Sequence, residues 1–434
     1  MDNNKNGKWS SGFGFVMAAA GAAVGLGNIW GFPYKIGEGG GLLFIVLYLV
    51  FAVIAGYPVL VGELALGRRY GKGAVGTYKR IKPRYKYLGI MGIASCFIVL
   101  GFYGYFGGLI MEYAVNYIQN IVDGGLNVSS LVVGGTSTSL SVIWMIAFLG
   151  ITMLIVLQGV QKGIERCSKI MMPTLILMLI YLMGKSLSLP GAGEALDYLF
   201  KFDLSKFTLK TVSLALVQVF FSLSLAQGIM ITYGSYLEKK QNIERNAALI
   251  SVFDTGIAVL AGMVVIPAVF AFGIKPDAGP GLMFDAMPMI FTEMTGGNLV
   301  GLLFFLLLLF AAITSAISML ETVASALTEE LGIPKKKAAL ITTGFEIIIA
   351  MPVCFDSSLF PAYEYVSQNA LMVLGALIMC IICRNSRVGS EIENEIAADG
   401  ASFRTRKLWR FLIRYVTPIL IAFVLLISTG IIRI

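Results

Sequence analysis

The sequence predicts an all-α polytopic membrane protein with eleven transmembrane helices, and three observations support this fold class. Of the 434 residues, 57% are hydrophobic and only 13% are charged, which is more apolar than a soluble domain of this size requires. Eleven apolar windows are each long enough to cross a bilayer. Basic residues concentrate in alternate loops between these windows, which is typical of loops that stay in the cytoplasm.

The eleven predicted spans follow one another along nearly the whole chain. They cover residues 11–35, 41–67, 88–121, 139–159, 166–184, 208–236, 243–272, 297–328, 337–355, 361–383 and 409–431. The loop after span 2, RRYGKGAVGTYKRIKPRYKY, contains eight Lys or Arg residues and no acid. With a cytoplasmic N-terminus, this loop and the basic loops after spans 6, 8 and 10 all face the cytoplasm. The net charge of +8 therefore marks orientation in the membrane, and no nucleic-acid partner is expected.

The composition excludes several kinds of chemistry. The chain has no histidine, so histidine metal sites, Ser-His triads and histidine proton relays are ruled out. The five cysteines lie in or beside apolar stretches, and even the C-x-x-C pair Cys380 and Cys383 is expected to pack rather than to bind a metal. An enzyme would need a constellation of nucleophiles, and a channel would need polar residues along several spans. We therefore expect neither an enzyme nor a channel, and no organic cofactor.

Spans 1 and 6 are interrupted where a membrane helix should be continuous. Span 1 contains AAAGAAVGLGNIWGFPY, in which four glycines lie from Gly21 to Gly31. Span 6 contains SLSLAQG, which places Ser222, Ser224 and Gln227 near its middle. Two breaks at corresponding positions predict an inverted repeat with a binding site at the repeat interface. The predicted organisation is a single transmembrane domain, residues 1–434, with a first repeat at 10–185, a second repeat at 207–385 and an extra helix at 405–434.

An unwound segment inside a membrane exposes backbone groups that must find partners. Carbonyl oxygens suit a hard cation such as sodium, and the free amides at the start of a half-helix suit an anion. Asn28 adds a neutral side-chain oxygen to the first break. The alternative is a helix-packing role for the glycines, of which Gly21 and Gly25 are one example. Packing does not explain the polar cluster in span 6, so we favour a binding site.

Five motifs together resemble one family of membrane proteins. They are AVGLGNIW in span 1, GELALGR after span 2, FYG in span 3, FFSLSL with MITYGSY in span 6, and AAITSAISMLE in span 8. The chain resembles a bacterial member of the neurotransmitter:sodium symporter family, which has the leucine-transporter fold. The resemblance implies sodium-coupled uptake of a small molecule by alternating access, in the bacterial inner membrane. It also implies the following ion, substrate and gate residues.

Two sodium sites are implied by the resemblance. The first would use Ala23, Asn28, Ser222 and Asp254, and the second would use Gly21, Val24, Ala311, Thr314 and Ser315. Hydroxyls such as those of Thr314 and Ser315 often bond back to their own helix instead. Asp254 is expensive in mid-membrane and calls for a cation, although a carboxylate at a wet helix end is the alternative. Its negative charge would replace the chloride that animal relatives use, so no chloride dependence is expected.

The substrate is expected to lie between spans 1, 3, 6 and 8. A carboxylate would meet the amides of Leu26 and Gly27 and the hydroxyl of Tyr103. Gly25 stands where amine-transporting relatives carry an aspartate, so a monoamine substrate is disfavoured. The complete set implied by the resemblance is Ala23, Val24, Gly25, Leu26, Gly27, Val99, Tyr103, Phe221, Ser222, Ser224, Gln227, Ser315 and Met319.

The gates are where this chain departs from the family pattern. The family reads NIWRFPY and this chain reads NIWGFPY, so Gly31 replaces an arginine that would pair with the acid Glu364 in span 10. Without that cation, Glu364 is expected to bind water or another group, or to take up a proton. Phe221 would close the substrate pocket from the outside.

The inner gate is implied at the ends of three spans. Gly163 and Pro173 in span 5 match the family's unwinding motif, in which proline weakens the helix. Trp9, with Lys8, would lock against Glu329, although the family's arginine in that segment is missing. An ordinary solvated Lys–Glu pair is the alternative.

Gln227 raises a second possibility for the substrate. It stands where an apolar or aromatic residue is common in the family, and it brings a hydrogen-bond donor and an acceptor to the pocket. The first reading is sodium-coupled uptake of a hydrophobic or aromatic amino acid. The alternative is import of a neutral aromatic heterocycle such as indole, with weakened sodium dependence.

Overall fold

Every regular element that the structure describes is a helix. The computed structural model describes residues 7–124, 138–274 and 281–428, and no strand occurs in these ranges. The spans are formed by Gly12–Ala23 and Gly27–Gly39 (span 1), Leu42–Tyr70 (2), Pro83–Val122 (3), Thr138–Leu157 (4), Val160–Leu187 (5), Leu209–Ser222 and Ile229–Ser235 (6), Ile243–Ala271 (7), Gly297–Leu331 (8), Lys335–Phe355 (9), Ser357–Arg384 (10) and Arg406–Ile427 (11). Shorter helices at Ala74–Ile81, Ala192–Phe200, Met287–Glu293 and Ser386–Ile396 connect them.

The count of spans and the two breaks agree with the sequence prediction. Nine helices of the described chain are each long and apolar enough to cross a membrane, and span 1 is a tenth, as a pair of helices bent by 51°. Span 6 is two shorter helices separated by residues 223–228. The predicted window for span 11 ends at residue 431, of which residues 429–431 lie outside the described part. The division into repeats at 10–185 and 207–385 stays a prediction.

Span 5 begins earlier than its hydropathy suggests. The predicted window starts at residue 166, but the helix starts with a π-helical turn at Val160–Glu165. The polar residues of this turn hide it from an apolar window. They are tolerated because Glu165, which is 1% exposed, accepts hydrogen bonds from the N-terminal segment. The helix then runs unbroken through Pro173 to Leu187.

The broken spans lie at the centre and the unbroken ones surround them. In spans 3 and 8, 72% of the residues in the most apolar stretch are buried. In spans 4 and 11, only 28% of the corresponding residues are buried. The outer spans instead expose large apolar side chains such as Ile143, Leu154 and Ile419, which suits contact with lipid. Spans 3 and 8 therefore form the inner scaffold on which the breaks of spans 1 and 6 rest.

Two glycines let span 2 pack closely on the inner half of span 6. A β-carbon at Gly67 would collide with the backbone of Ile231, and one at Gly234 would lie 2.6 Å from the carbonyl oxygen of Leu64. Small residues permit such close backbone approach in membrane proteins. The short helix Ile229–Ser235 is thereby held against span 2 although it has fewer than two turns of its own.

A buried arginine ties the end of span 2 to the loops on the same side. The Arg68 side chain lies 2.8 Å from Glu395 and donates to the Gln241 carbonyl at 2.5 Å and to the Lys239 carbonyl at 3.2 Å. The charge is buried together with its partner, so removing one of them would leave an uncompensated ion. The loop after span 6 and the helix Ser386–Ile396 are thus anchored to one point.

Candidate functional site

The break in span 1 brings three backbone carbonyls to one place. The first helix ends at Ala23, Val24 is extended, and a π-helical turn begins at Gly27. Ser224 from span 6 donates a hydrogen bond to the Ala22 carbonyl at 2.8 Å. Ser315 from span 8 lies 3.3 to 3.4 Å from the carbonyl oxygens of Gly21, Ala22 and Val24. The freed carbonyls therefore point at hydroxyl oxygens from two other spans.

The break in span 6 is held in an unusual backbone conformation. Ser224 and Ala226 have φ values of 53° and 60°, a left-handed region that non-glycine residues seldom adopt. The Ala226 amide donates a hydrogen bond to the buried Glu63 carboxylate at 2.9 Å. Glu63, in the GELALGR motif of span 2, was not among the predicted site residues. Only its position opposite the break, which the sequence does not display, reveals its role in holding that backbone.

The residues of the first predicted sodium site meet in a fully buried cluster. Asn28 Nδ2 lies 2.8 Å from Ser222 Oγ, 2.7 Å from Asp254 Oδ1 and 3.0 Å from the Asp254 carbonyl oxygen. Asn28 Oδ1 accepts a hydrogen bond from the Gly25 amide. Tyr48 of span 2 donates to the other Asp254 oxygen at 3.0 Å, and sequence reasoning missed it. Ala23 lies nearby, on the wall of the central cavity described below.

The residues of the second predicted sodium site also converge. Thr314 donates to the carbonyls of Phe310 and Ala311 at 2.9 and 3.1 Å, so it does bond back to its own helix. A β-carbon at Gly21 would lie 3.2 Å from Thr314 Cβ, which places spans 1 and 8 in direct contact here. With the Ser315 contacts to the Gly21 and Val24 carbonyls, all five predicted residues gather around one group of neutral oxygens. Such oxygens are ligands that hard cations prefer.

A small cavity lies between the two breaks and spans 3 and 8. We call it the central cavity, and its walls are Ala22, Ala23, Gly27, Val99, Tyr103, Phe221, Ser222, Ser224, Gln227, Ser315 and Met319. Ten of the thirteen predicted substrate residues are among them, and Ala22 is an addition. Its volume is about 10 Å³, roughly the room of one water. A larger ligand must therefore push side chains apart in order to enter.

The three remaining predicted substrate residues surround this cavity without lining it. The hydroxyl of Tyr103 interacts electrostatically with the amides of Leu26 and Gly27, the three groups that the resemblance implies for a carboxylate pocket. A β-carbon at Gly25 would lie 2.5 Å from Ser315 Oγ and 2.8 Å from Tyr103 OH, so this position has no room for an aspartate. Val24 is fully buried behind them.

Phe221 lines the central cavity and also an outer one. The outer cavity is lined by Leu26, Gly27, Trp30, Gly31, Tyr34, Lys35, Phe102, Tyr103, Phe221, Phe360, Glu364 and Gln368. The Phe221 ring packs on Gly27, where a β-carbon would lie 2.7 Å from it. Gly27, Tyr103 and Phe221 line both cavities, and the Phe221 ring lies where the two meet. Its role as a gate stays a prediction.

A lysine shares the outer cavity with Glu364, the acid that the sequence analysis leaves to water, another group or a proton. Lys35, one helical turn after Gly31, is 6% exposed and lines the outer cavity together with Glu364, with which it interacts electrostatically. Its ammonium donates to Gln218 at 2.7 Å, and Gln218 donates to the Gly27 carbonyl at 2.6 Å. The motif NIWGFPY does not reveal this lysine, because Lys35 follows the motif directly.

The predicted contact between Trp9 and Glu329 at the inner gate is wrong, because each of the two residues has another partner. Trp9 is buried, and its indole donates to the Tyr233 carbonyl of span 6 at 3.1 Å. Glu329 instead accepts from the Gly73 amide at 3.0 Å. Glu329 therefore binds the start of the helix Ala74–Ile81, and among the described residues it forms no hydrogen bond or ion pair with the N-terminal segment.

Two other acids form ion pairs and hydrogen bonds near the predicted inner gate. Glu165 accepts from the Ser10 amide at 2.7 Å and pairs with Lys169 at 2.6 Å. Glu321 of span 8 pairs with Lys335 and accepts from the Tyr236 hydroxyl at 2.7 Å. Gly163 lies in the π-helical turn of span 5, next to Glu165, while Pro173 is inside the continuous helix.

The chain is similar along its length to known transporters. A family model described as the sodium:neurotransmitter symporter family matches residues 6–130 and 127–433. An uncharacterised sodium-dependent transporter of Bacillus subtilis, YhdH, is 37% identical, and the match covers 99% of each chain. A counterpart from Haemophilus influenzae is 32% identical over 97% of each chain.

The structure agrees with a solved member of this group. The crystal structure of MhsT in complex with L-phenylalanine matches with a TM-score of 0.87 and 35% sequence identity, covering 96% of this chain and 99% of that one. A sodium-dependent dopamine transporter of Caenorhabditis elegans is a more distant relative, 25% identical over 81% of this chain and 68% of its own. These proteins are transporters and not enzymes. The chain belongs to the sodium:neurotransmitter symporter family and is a sodium-dependent, multi-pass membrane symporter.

Proposed function

We propose that this protein takes up a hydrophobic or aromatic amino acid together with sodium by alternating access. The observation that carries the proposal is the convergence of two oxygen clusters and one cavity at the breaks of spans 1 and 6. We place the protein in the bacterial inner membrane with a cytoplasmic N-terminus, because the basic loops then face the cytoplasm.

In this proposal, one sodium ion binds at the Asp254 cluster. Asn28 Nδ2 lies among three oxygens that could hold a cation. Rotating the Asn28 amide by about 180° would turn its oxygen toward the ion, since the two ends of the group differ little in size. The Asp254 carboxylate would then balance the charge of the ion, which is why we expect no role for chloride.

A second sodium ion would bind where Ser315 and Thr314 meet the carbonyls of Gly21, Val24 and Ala311. Each sodium moving inward along a potential of 100 mV contributes about 2.3 kcal/mol. Two ions would thus support accumulation of substrate against a large gradient. The site also touches Met172 of span 5, so loosening of that span between Gly163 and Pro173 would give the ion a way out.

The substrate proposal rests on the groups around the central cavity. A carboxylate would be held by the Leu26 and Gly27 amides and the Tyr103 hydroxyl, where the helix restart favours negative charge. Apolar groups such as Val99 and Met319 are also on the walls of this cavity. The complex of MhsT with L-phenylalanine supports an aromatic amino acid, and the crowding at Gly25 argues against a monoamine.

Gln227 favours the second candidate function, import of a neutral aromatic heterocycle. Its side chain is 2% exposed and lines the central cavity, with a long hydrogen bond of 3.4 Å to Ser95. Its amide could accept the N–H of an indole ring, which both tryptophan and free indole carry. Import of a neutral heterocycle would not need the carboxylate pocket, and its sodium dependence would be weak.

The ion proposal predicts that Asp254→Asn lowers sodium-dependent substrate affinity about tenfold in chloride-free buffer, because the neutral site holds sodium poorly. Added chloride should restore part of this affinity in the variant and change nothing in the native protein. The measurement is amino-acid binding in sodium gluconate and in sodium chloride, with the exposed Asp356→Asn as control. Equal sodium dependence in both proteins, or a chloride requirement of the native protein, contradicts the proposal.

The substrate proposal predicts that tryptophan binds in sodium but not in potassium, while indole binds weakly in both. Gln227→Leu should weaken tryptophan binding about tenfold, since one buried hydrogen bond is lost, and should leave leucine binding unchanged. Competition binding with Gln119→Leu, an exposed control, tests this. Indole that binds as tightly as tryptophan without sodium would establish the heterocycle alternative instead.

The outer-gate proposal assigns Lys35 the place of the missing arginine. Lys35→Met should speed dissociation of bound substrate about tenfold, because the link through Gln218 to the Gly27 carbonyl is lost. Gly31→Arg in the same chain should slow it again, since a β-carbon at Gly31 has room, 3.7 Å from Gln218. Dissociation of radiolabelled substrate measures this, with exposed Lys201→Met as control. Unchanged dissociation in Lys35→Met would remove Lys35 from the gate.

A further inference from the structure

A basic cavity lies where span 10 ends and span 11 begins, and it shares no wall residue with the central cavity. Its walls include Lys82 from the loop before span 3, Arg384 at the end of span 10, Arg387 in the helix Ser386–Ile396, and Arg414 in span 11. Its volume is about 490 Å³, and no acid is among its lining residues. A smaller cavity of about 170 Å³ adjoins it and shares Arg384, Asn385 and Arg414.

Three of these four cations have no carboxylate partner. Within the described part of the chain, no Asp or Glu lies within 4.0 Å of the charged groups of Lys82, Arg384 or Arg414. Arg387 pairs with Glu391 at 3.1 Å. The buried Nε of Arg414 has no hydrogen-bond partner among the described residues. The cavity therefore presents positive charge that no carboxylate of the described residues balances, apart from the Arg387–Glu391 pair.

The acid that lines the smaller cavity is already neutralised. Glu393 lines the smaller cavity, and it pairs with Arg406 at 2.7 Å and with Arg410. Burial works against the charge of Glu393, but the hydrogen bonds from Arg410 and Arg406 outweigh it and hold the pKa of that carboxyl below its usual value. Its charge is taken up by these two arginines and is not available to Arg414.

The position of Arg414 makes an anion in this cavity favourable. Arg414 is eight residues into span 11, or roughly 12 Å along the helix. A guanidinium on a membrane-spanning helix is costly unless it meets an anion or reaches the polar headgroup layer. Arginine is also the side chain whose planar fork best matches a phosphate.

Apolar side chains continue from the cavity along the surface that would face lipid. Ile381, on the cavity wall, is 57% exposed. On span 11, Phe411, Tyr415 and Ile419 recur every fourth residue and are all exposed, so they form one stripe beside Arg414. A ligand that fits both features has a negative head and a hydrocarbon body.

We propose that this cavity binds the phosphate headgroup of an anionic phospholipid, whose acyl chains lie along the stripe of span 11. Arg384, Arg414 and Lys82 contact the phosphate, and the lipid comes from the leaflet on the side of the basic loops, where such pockets between helices are known to recognise anionic headgroups. The site is separate from the ion and substrate sites, and it does not depend on which amino acid is carried.

The test uses the full-length protein in mild detergent, titrated with phosphatidylglycerol or with phosphatidylcholine of the same acyl chains. Bound lipid is counted by native mass spectrometry, and the melting temperature is followed by tryptophan fluorescence. We expect phosphatidylglycerol to bind at least about tenfold more tightly and to raise the melting temperature. Arg384→Gln combined with Arg414→Gln should abolish this preference, whereas Lys239→Gln combined with Lys240→Gln, exposed cations on another basic loop, should keep it.

Several results would overturn the proposal. They are equal binding of the two lipids, a preference that survives the arginine substitutions, and an equal loss of preference in the lysine control. Inorganic phosphate that displaces the lipid and stabilises the protein equally well would show a soluble-anion site instead. If the double arginine variant does not yield a folded protein, Arg384→Gln alone must lower the preference at least about threefold, and an unchanged preference contradicts the lipid site.

Discussion

The structure depends on one constraint, that peptide groups freed from a helix inside an apolar core must find partners there. The breaks of spans 1 and 6 meet this constraint through each other and through span 2. Ser224 of span 6 bonds the Ala22 carbonyl, and Gln218 of span 6 bonds the Gly27 carbonyl. Glu63 holds the Ala226 amide. These hydrogen bonds join the two unwound segments into one unit.

The predicted outer and inner gate regions both contact this unit. On the outside, Lys35 reaches the Gly27 carbonyl by way of Gln218. On the inside, Trp9 donates to the Tyr233 carbonyl in the inner half of span 6, and Tyr236 at its end contacts Glu321. In the proposed mechanism, a change in how the breaks are occupied would act on the residues at each end. This is the physical link that alternating access requires between binding and opening.

Sequence patterns anticipate the parts of this architecture that depend on composition. Apolar windows locate the spans, and glycines beside isolated polar residues locate the breaks, because few other arrangements of such residues are stable in a membrane. The meeting of Asn28, Ser222 and Asp254 follows from the family resemblance and is found in the fold. The ion and substrate roles assigned to these residues are proposals that rest on that geometry.

Contacts between distant parts of the chain are what sequence patterns do not display. In the sequence, nothing distinguishes Tyr48, Glu63 and Lys35 from their neighbours. The fold places Tyr48 beside Asp254, Glu63 beside Ala226 and Lys35 beside Gln218. The expected Trp9–Glu329 lock is wrong for the same reason, since the Gly73 amide holds Glu329. Span 5 begins early because buried Glu165 finds its partner in the N-terminal segment, 155 residues away.

The most direct test of the central claim, that one unwound unit holds ion and substrate together, is the reciprocity of their binding. Isothermal titration would measure amino-acid affinity at several sodium concentrations and sodium affinity with and without the amino acid. The account predicts that each ligand raises the affinity for the other by the same factor, on the order of 5- to 150-fold. Amino-acid affinity that does not change with sodium would contradict it.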